Sequence, residues 1–255
     1  MTSSIPTSEV CMPKRLSILG DSISTFTGYI PSGNVSYYPK ADDTRTTKVT
    51  VVSDCWWRKL QMALGMSLLV NNSYSGSRVS KGGSTAQADN VVGCGSRCVS
   101  LHTGSGTSQV DPDIIIVYMG INDFNNNVGE GEYDGTSVLP TSNPLPSTFR
   151  EAYAVMLNKM LTAYPHAEIW VCTLPQYTDA AFPTNNSSIA LAEYNKAIKQ
   201  LAAAFGVKVL DWNASGLNWH SSDNLHPDKY NHSVMANYAI SQLEPSVKVR
   251  YKTSA

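Results

Sequence analysis

The sequence predicts an α/β fold in which a parallel β-sheet is covered by helices on both faces. Five short runs are nearly continuous in apolar, β-branched residues, the character of strands buried on both sides. Helical patterns alternate with these runs along the chain, as crossover connections between parallel strands require. With 255 residues, 42% of them hydrophobic, the chain can fill one sizeable core, so one domain over 16–255 is expected behind a polar tail of residues 1–15.

The first run, LSILG (16–20), breaks at Gly20-Asp21 and presents Ser22 just beyond. After a loop over 24–53, DCWWRKLQMAL reads as a helix and SLLVNNS (67–73) as the second strand. Segment 77–110 leads to the third strand, DIIIVYMG (113–120), and segment 121–146 reads as a further loop. STFREAYAVMLNKMLTAY then puts Tyr153, Met156, Met160 and Tyr164 on one helical face, with Ser147 as the expected cap. AEIWVCTL (167–174) is the fourth strand. SSIALAEYNKAIKQLAAAF aligns Leu191, Tyr194, Ile198, Leu201 and Phe205, with Ser187 or Ser188 as its expected cap. VKVLDW (207–212) is the fifth strand, and a last helix is expected after Pro227. The three long loops, rich in Gly, Ser, Thr and Asn, follow the carboxyl ends of the first three strands, where parallel sheets carry their sites.

Composition narrows the choice of partner. Lys+Arg 19 against Asp+Glu 20, with only 15% charged residues, gives no basic excess for nucleic acid. No apolar run approaches the ~20 residues that span a bilayer. The first fifteen residues lack the apolar centre of a signal peptide, so a soluble protein of open compartment is expected. Five cysteines (Cys11, Cys55, Cys94, Cys98, Cys172) are too few and too irregular for a disulfide scaffold. Cys94 and Cys98, in GCGSRC, either pair or remain reduced thiols.

Each strand end delivers something that acyl transfer can use. The first delivers Ser22. After the second, Gly76 lets the backbone approach a neighbour with no side chain intervening. The third leads into GIND, where Asn122 offers a side-chain amide, and beyond the fifth lie Asp223 and His226, three residues apart. Ser22 would attack a carbonyl carbon, His226 would take its proton, and Asp223 would fix the imidazole tautomer. The N–H groups of Ser22 and Gly76 and the amide of Asn122 would receive the oxyanion. Pro227 disfavours helical backbone at His226 and suits the first turn of the following helix. Taken singly, each residue has a plainer role as turn, cap or spacer. All of these coincidences would have to occur together.

GDSIS, SYSG, GIND and DNLHP, in that order, resemble the four signature blocks of the SGNH hydrolase superfamily, the GDSL esterases and lipases. The resemblance spans 16 to about 243. It implies a flavodoxin-like three-layer α/β/α sandwich with strand order 2-1-3-4-5, a Ser–His–Asp triad of Ser22, His226 and Asp223, and no metal or cofactor. Ser22, Gly76 and Asn122 would form the oxyanion hole. The sequence departs from the pattern at Ile23, where leucine is usual, and at YNHS, where a small residue is expected in the last helix.

Rival readings have less support. His220, His226 and His232 are evenly spaced, but no HExxH or thiol cluster completes a coordination shell, so His220 and His232 read as solvated or capping residues. GCGSRC lacks zinc-knuckle or C-x-x-C spacing, and GSGTS (104–108) lacks the lysine of a phosphate loop. Trp56, Trp57, Trp212 and Trp219 read as core or rim residues, with Trp219 also close enough in sequence to Asp223 to line the site, and Arg78 reads as either a substrate contact or a surface ion pair. The G-x-S-x-G elbow of the α/β-hydrolases is absent. The expected activity is hydrolysis of short-chain, acetyl-type carboxylic esters, with small-molecule or carbohydrate esters as substrates. Acyl transfer to another acceptor and a silent carbohydrate-binding relative are the alternatives.

Overall fold

A computed structural model describes residues 13–40, 47–175, 184–185, 189–215, 223 and 225–247. Its centre is a five-stranded parallel sheet of order β2-β1-β3-β4-β5, as expected. The strands are β1 (Arg15–Gly20), β2 (Ser67–Ser73), β3 (Ile114–Tyr118), β4 (Glu168–Cys172) and β5 (Lys208–Leu210). β3 is buried throughout, whereas the edge strands β2 and β5 are buried only towards their carboxyl ends. Burial on both faces therefore holds for the inner strands alone. An edge strand has a neighbour on one side only.

The helices are α1 (Trp56–Ala63), α2 (Ile121–Asn125), α3 (Phe149–Ala163), α4 (Leu191–Phe205) and α5 (Lys229–Val247). The chain steps from β1 to β2 in one direction across the sheet and from β3 through β4 to β5 in the other. With right-handed crossovers, α1 therefore lies on one face and α3 and α4 on the other. Accordingly α1 packs on α5 and α3 on α4. Tyr153, Met156, Met160 and Tyr164 are buried, as are Leu191, Tyr194, Ile198 and Leu201, while Phe205 is half-buried. Trp56, Trp57 and Trp212 belong to the core.

Several local expectations are corrected. The α3 cap is Thr148 rather than Ser147, and its side chain makes no capping bond. The first α3 N–H groups, of Phe149 and Arg150, donate instead to Gly129 O (2.9 Å) and Glu130 O (2.8 Å). Ala190 precedes α4, and Ser187 and Ser188 lie outside the described residues. Residues 121–125, expected as loop, form α2, whose Phe124 N–H donates to Gly120 O at 3.0 Å. Pro227 lies ahead of α5 rather than in its first turn. Asp228 caps that helix, accepting from Asn231 N–H at 2.9 Å. Cys94 and Cys98 do not pair: both are free and buried, and burial raises their thiols to about 12 and about 11. Among the described residues no helix is long and apolar enough to cross a membrane.

Candidate active site

β1 ends at Gly20, and the next residues form a single 3-10 turn, Ser22–Ser24. Asp21 caps that turn, its Oδ1 accepting from Ile23 N–H at 3.0 Å. Gly20 is required here by close approach: a Cβ would come within 2.6 Å of Ser24 Cβ and Ser73 Oγ. Ser22 is thereby lifted beyond the strand end, and only 3% of its surface stays accessible.

Asp223 and His226 reach it from the connection between β5 and α5, 204 residues away from Ser22 in the case of the histidine. Asp223 Oδ1 accepts from the backbone N–H of Leu225 (3.1 Å) and of His226 (2.8 Å), folding the loop around the carboxylate. Asp223 Oδ2 lies 2.7 Å from His226 Nδ1, and His226 Nε2 lies 2.7 Å from Ser22 Oγ. With Nδ1–H donating to the carboxylate, the Nε2 lone pair is left to accept from the serine hydroxyl. The three side chains thus form one continuous hydrogen-bonded row.

Gly76 lies three residues beyond β2 with φ +78°, a left-handed backbone that favours glycine. The space where its Cβ would stand is open, so backbone conformation, rather than the close approach expected from the sequence, calls for glycine here. Asn122, in the first turn of α2, donates through Nδ2 to Ser77 O at 3.0 Å, and among the described residues its second amide hydrogen has no acceptor. Among the described residues, the N–H groups of Ser22 and Gly76 have no acceptor. β1 runs between β2 and β3, so these three donors rise from adjacent strand ends.

Buried charge holds these turns together. Asp123 accepts from Val79 N–H (2.7 Å), Ser80 N–H (3.0 Å) and Ser80 Oγ (2.8 Å), which anchors the chain just beyond Gly76. Arg97, which the sequence reading passed over inside GCGSRC, is almost fully buried. Its guanidinium donates to Gly20 O (2.6 Å), Ser77 Oγ (2.8 Å), Val91 O (2.8 Å) and Asn72 O. One cation therefore ties the end of β1 to β2 and to the turn after Gly76. Burial lowers Arg97 to about 10, with Asp21 acting to raise it. The Asp21 carboxyl is pushed up to about 7 by its own burial, against a hydrogen bond from Ile23 and the charge of Arg97.

Other candidates fall elsewhere. Arg78 is buried and donates to Thr85 O, so it is neither a surface ion pair nor open to substrate. His232 is wholly buried, and its Nδ1 accepts from Trp56 N–H at 3.1 Å, a cap for α1 but not a solvated residue. Trp219 and His220 lie outside the described residues. The sequence reading also missed Tyr37. Its ring stacks on His226 with centroids 3.4 Å apart and planes 9° apart, and its hydroxyl donates to Asp223 Oδ2 at 2.7 Å. An aromatic pair before proline, in NVSYYP, was the only sign of it.

A sequence model of the GDSL-like lipase/acylhydrolase family matches residues 14–227, from just ahead of β1 to just past His226. The chain belongs to this family. No curated protein matches it by sequence. A solved structure described as a GDSL-like lipase from Bacteroides ovatus is 25% identical, with TM-score 0.71, over 92% of this chain and 99% of that one. Another so described, from Bacteroides uniformis, is 27% identical, with TM-score 0.70, over 91% of this chain and 96% of that one. A carbohydrate acetylesterase from Sinorhizobium meliloti shares the fold at 14% identity and TM-score 0.60, covering 91% of this chain and 99% of that one. This GDSL-like protein is thus an esterase of the SGNH type, with the flavodoxin-like strand order of that fold.

Proposed function

We propose that the protein hydrolyses short-chain carboxylic esters through an acyl-enzyme on Ser22. The observation that carries this reading is the row Ser22 Oγ, His226 Nε2 at 2.7 Å, and His226 Nδ1 to Asp223 Oδ2 at 2.7 Å. Serine is a weak nucleophile at neutral pH, and a base within hydrogen-bond reach is what activates it.

In the first half-reaction Ser22 Oγ attacks the ester carbonyl carbon as its proton passes to His226 Nε2. Asp223 stabilises the imidazolium. The carbonyl oxygen becomes an oxyanion that the N–H groups of Ser22 and Gly76 and the spare amide hydrogen of Asn122 receive. The C–O bond to the alcohol then breaks, and the alcohol leaves with the proton from His226. In the second half-reaction water adds to the acyl-Ser22 carbonyl and gives its proton to His226. Collapse releases the carboxylic acid, and the Ser22 hydroxyl recovers its proton.

Loop composition favours a small acyl group, because the Gly/Ser/Thr/Asn-rich segments after the first three strands bring no large apolar lid. Acetyl esters of carbohydrates are the first substrates to test, and carbohydrate esterases occur among the structural neighbours. Fluorophosphonate labelling with mass mapping, together with a p-nitrophenyl ester series graded by chain length, checks both levels. Labelling of Ser22 and a fall in kcat/KM beyond short acyl chains are expected. No adduct at Ser22 would remove the serine mechanism, and a preference for long chains would remove the acetyl assignment alone.

A further inference from the structure

Tyr37 has no part in the reaction as written, yet it touches both members of the acid–base pair. Asp223 Oδ2 accepts from Tyr37 Oη at 2.7 Å, and the same oxygen accepts from His226 Nδ1 at 2.7 Å. The tyrosine ring lies flat on the imidazole, with centroids 3.4 Å apart.

Tyr37 is itself held in place. Its backbone N–H donates to Thr25 Oγ1 at 2.8 Å, and that hydroxyl donates to Ser22 O at 2.8 Å. Its neighbour Tyr38 is buried and donates through Oη to Pro227 O at 2.7 Å, just past His226. Upstream, Asn34 Nδ2 donates to Ser73 O at 2.9 Å, and Val35 O accepts from Ser75 N–H at 2.8 Å. Residues 34–38 therefore bond the serine turn, the Gly76 turn and the histidine loop, and Tyr37 is the point where that strap meets the Asp–His pair.

We infer that Tyr37 is a positioning residue for Asp223 and His226; the inference rests on the serine-hydrolase reading above. The need for such a residue follows from exposure, since 40% of the Asp223 side chain is accessible against 11% for His226. Water competes for an exposed carboxylate, and a loop-borne imidazole turns easily about its side-chain bonds. The hydroxyl gives Oδ2 a second donor beside His226 Nδ1, and the stacked ring blocks rotation of the imidazole away from Ser22. Misplacing a reacting group by about 1 Å costs on the order of 10²-fold in rate, so this restraint acts on kcat.

The hydroxyl and the ring are separable by substitution. Tyr37→Phe keeps the stack and loses the bond to Asp223, whereas Tyr37→Leu loses both. With p-nitrophenyl acetate, Tyr37→Phe is expected to lower kcat by about tenfold and Tyr37→Leu by about a hundredfold, with KM changed less than about twofold. The deciding measurement repeats Tyr37→Phe in an Asp223→Ala background. A hydroxyl that acts through the carboxylate has less than about a twofold effect once the carboxylate is gone. Full additivity of the two substitutions, or unchanged kcat in Tyr37→Phe, overturns the inference. Ser22→Ala measured in parallel keeps the two levels apart: an active Ser22→Ala removes the serine mechanism and this inference with it. An inactive Ser22→Ala beside a fully active Tyr37→Phe removes only the role of Tyr37.

Discussion

Ser22 stands at the end of an inner strand, walled in by buried charge, whereas Asp223 stands on a connecting loop with 40% of its side chain exposed. On the serine side, Arg97, Asp21 and Asp123 are withdrawn from water; Arg97 bonds the ends of both β1 and β2, and Asp123, just beyond β3, bonds the chain that follows Gly76. On the histidine side, the part-exposed Asp223 carboxylate accepts from the Tyr37 hydroxyl and from two backbone N–H groups, and the Tyr37 ring stacks on His226. The halves differ in cost. Buried ions must be fully satisfied or they destabilise the fold, while half-exposed hydrogen bonds contribute little stability and chiefly set orientation. The serine side should therefore couple to folding and the histidine side to turnover.

Ser22→Ala or His226→Ala is expected to give the largest effect and is blind to this distinction, since each removes a group that reacts in the proposed mechanism. A fall in kcat of at least about 10⁴-fold is expected from either, leaving only what binding and oxyanion stabilisation sustain. Arg97→Met tests the distinction directly. It strips Gly20 O, Asn72 O and Ser77 Oγ of a shared donor and leaves Asp21 facing no cation, so a loss of about 3–5 kcal/mol is expected in denaturant unfolding. Arg97→Lys should restore only part of it, because one ammonium cannot copy the guanidinium fork. Tyr37→Phe, by contrast, should cost less than about 1.5 kcal/mol in the same assay. Equal losses at Arg97 and Tyr37 would erase the contrast between the halves.

Much of the serine side was legible in the sequence, because strand ends show as apolar runs that stop, and the chemistry demands particular residues just past them. GDSIS and GIND are local in that sense. What holds those turns was not legible. Arg97 acts on Gly20 across 77 residues and Tyr37 on Asp223 across 186, and no periodicity or short motif encodes either contact. A lone arginine amid Gly, Ser and Cys in a chain with few charges was the available hint. Helix α2 escaped for another reason: five residues are too few for a helical period to repeat. The α3 cap escaped because its acceptors, Gly129 O and Glu130 O, are backbone atoms, which residue preferences do not report.

Asn122→Ala probes the seam between sheet and site. The expected fall in kcat is about 10²–10³-fold, the usual consequence of losing one oxyanion donor. Loss of the bond to Ser77 O should loosen the Gly76 turn as well, read as a small fall in unfolding midpoint. A silent variant in steady-state kinetics would take Asn122 out of the oxyanion hole.

The smallest effect per unit of change is in pH. Asp21 in the folded protein is raised from 3.8 to about 7 by burial, so between those values the unfolded chain has released the proton that the folded chain still holds. Its contribution to stability is full below about 4 and is lost as pH rises towards and through 7, with a slope of at most about 1.4 kcal/mol per pH unit. His232 works in the opposite sense: burial lowers it to about 3, so stability is lost as pH falls below its usual 6.5. Subtracting the curve of Asp21→Asn from that of the wild type isolates the first contribution, since Asn keeps an acceptor for Ile23 N–H and carries no proton to lose. The difference should grow in favour of Asn from pH 4 to 7 and level off above. A flat difference would mean that Asp21 ionises as easily inside the fold as outside it, so that burial at the end of β1 imposes no electrostatic cost and the serine side loses its pH-dependent link to folding.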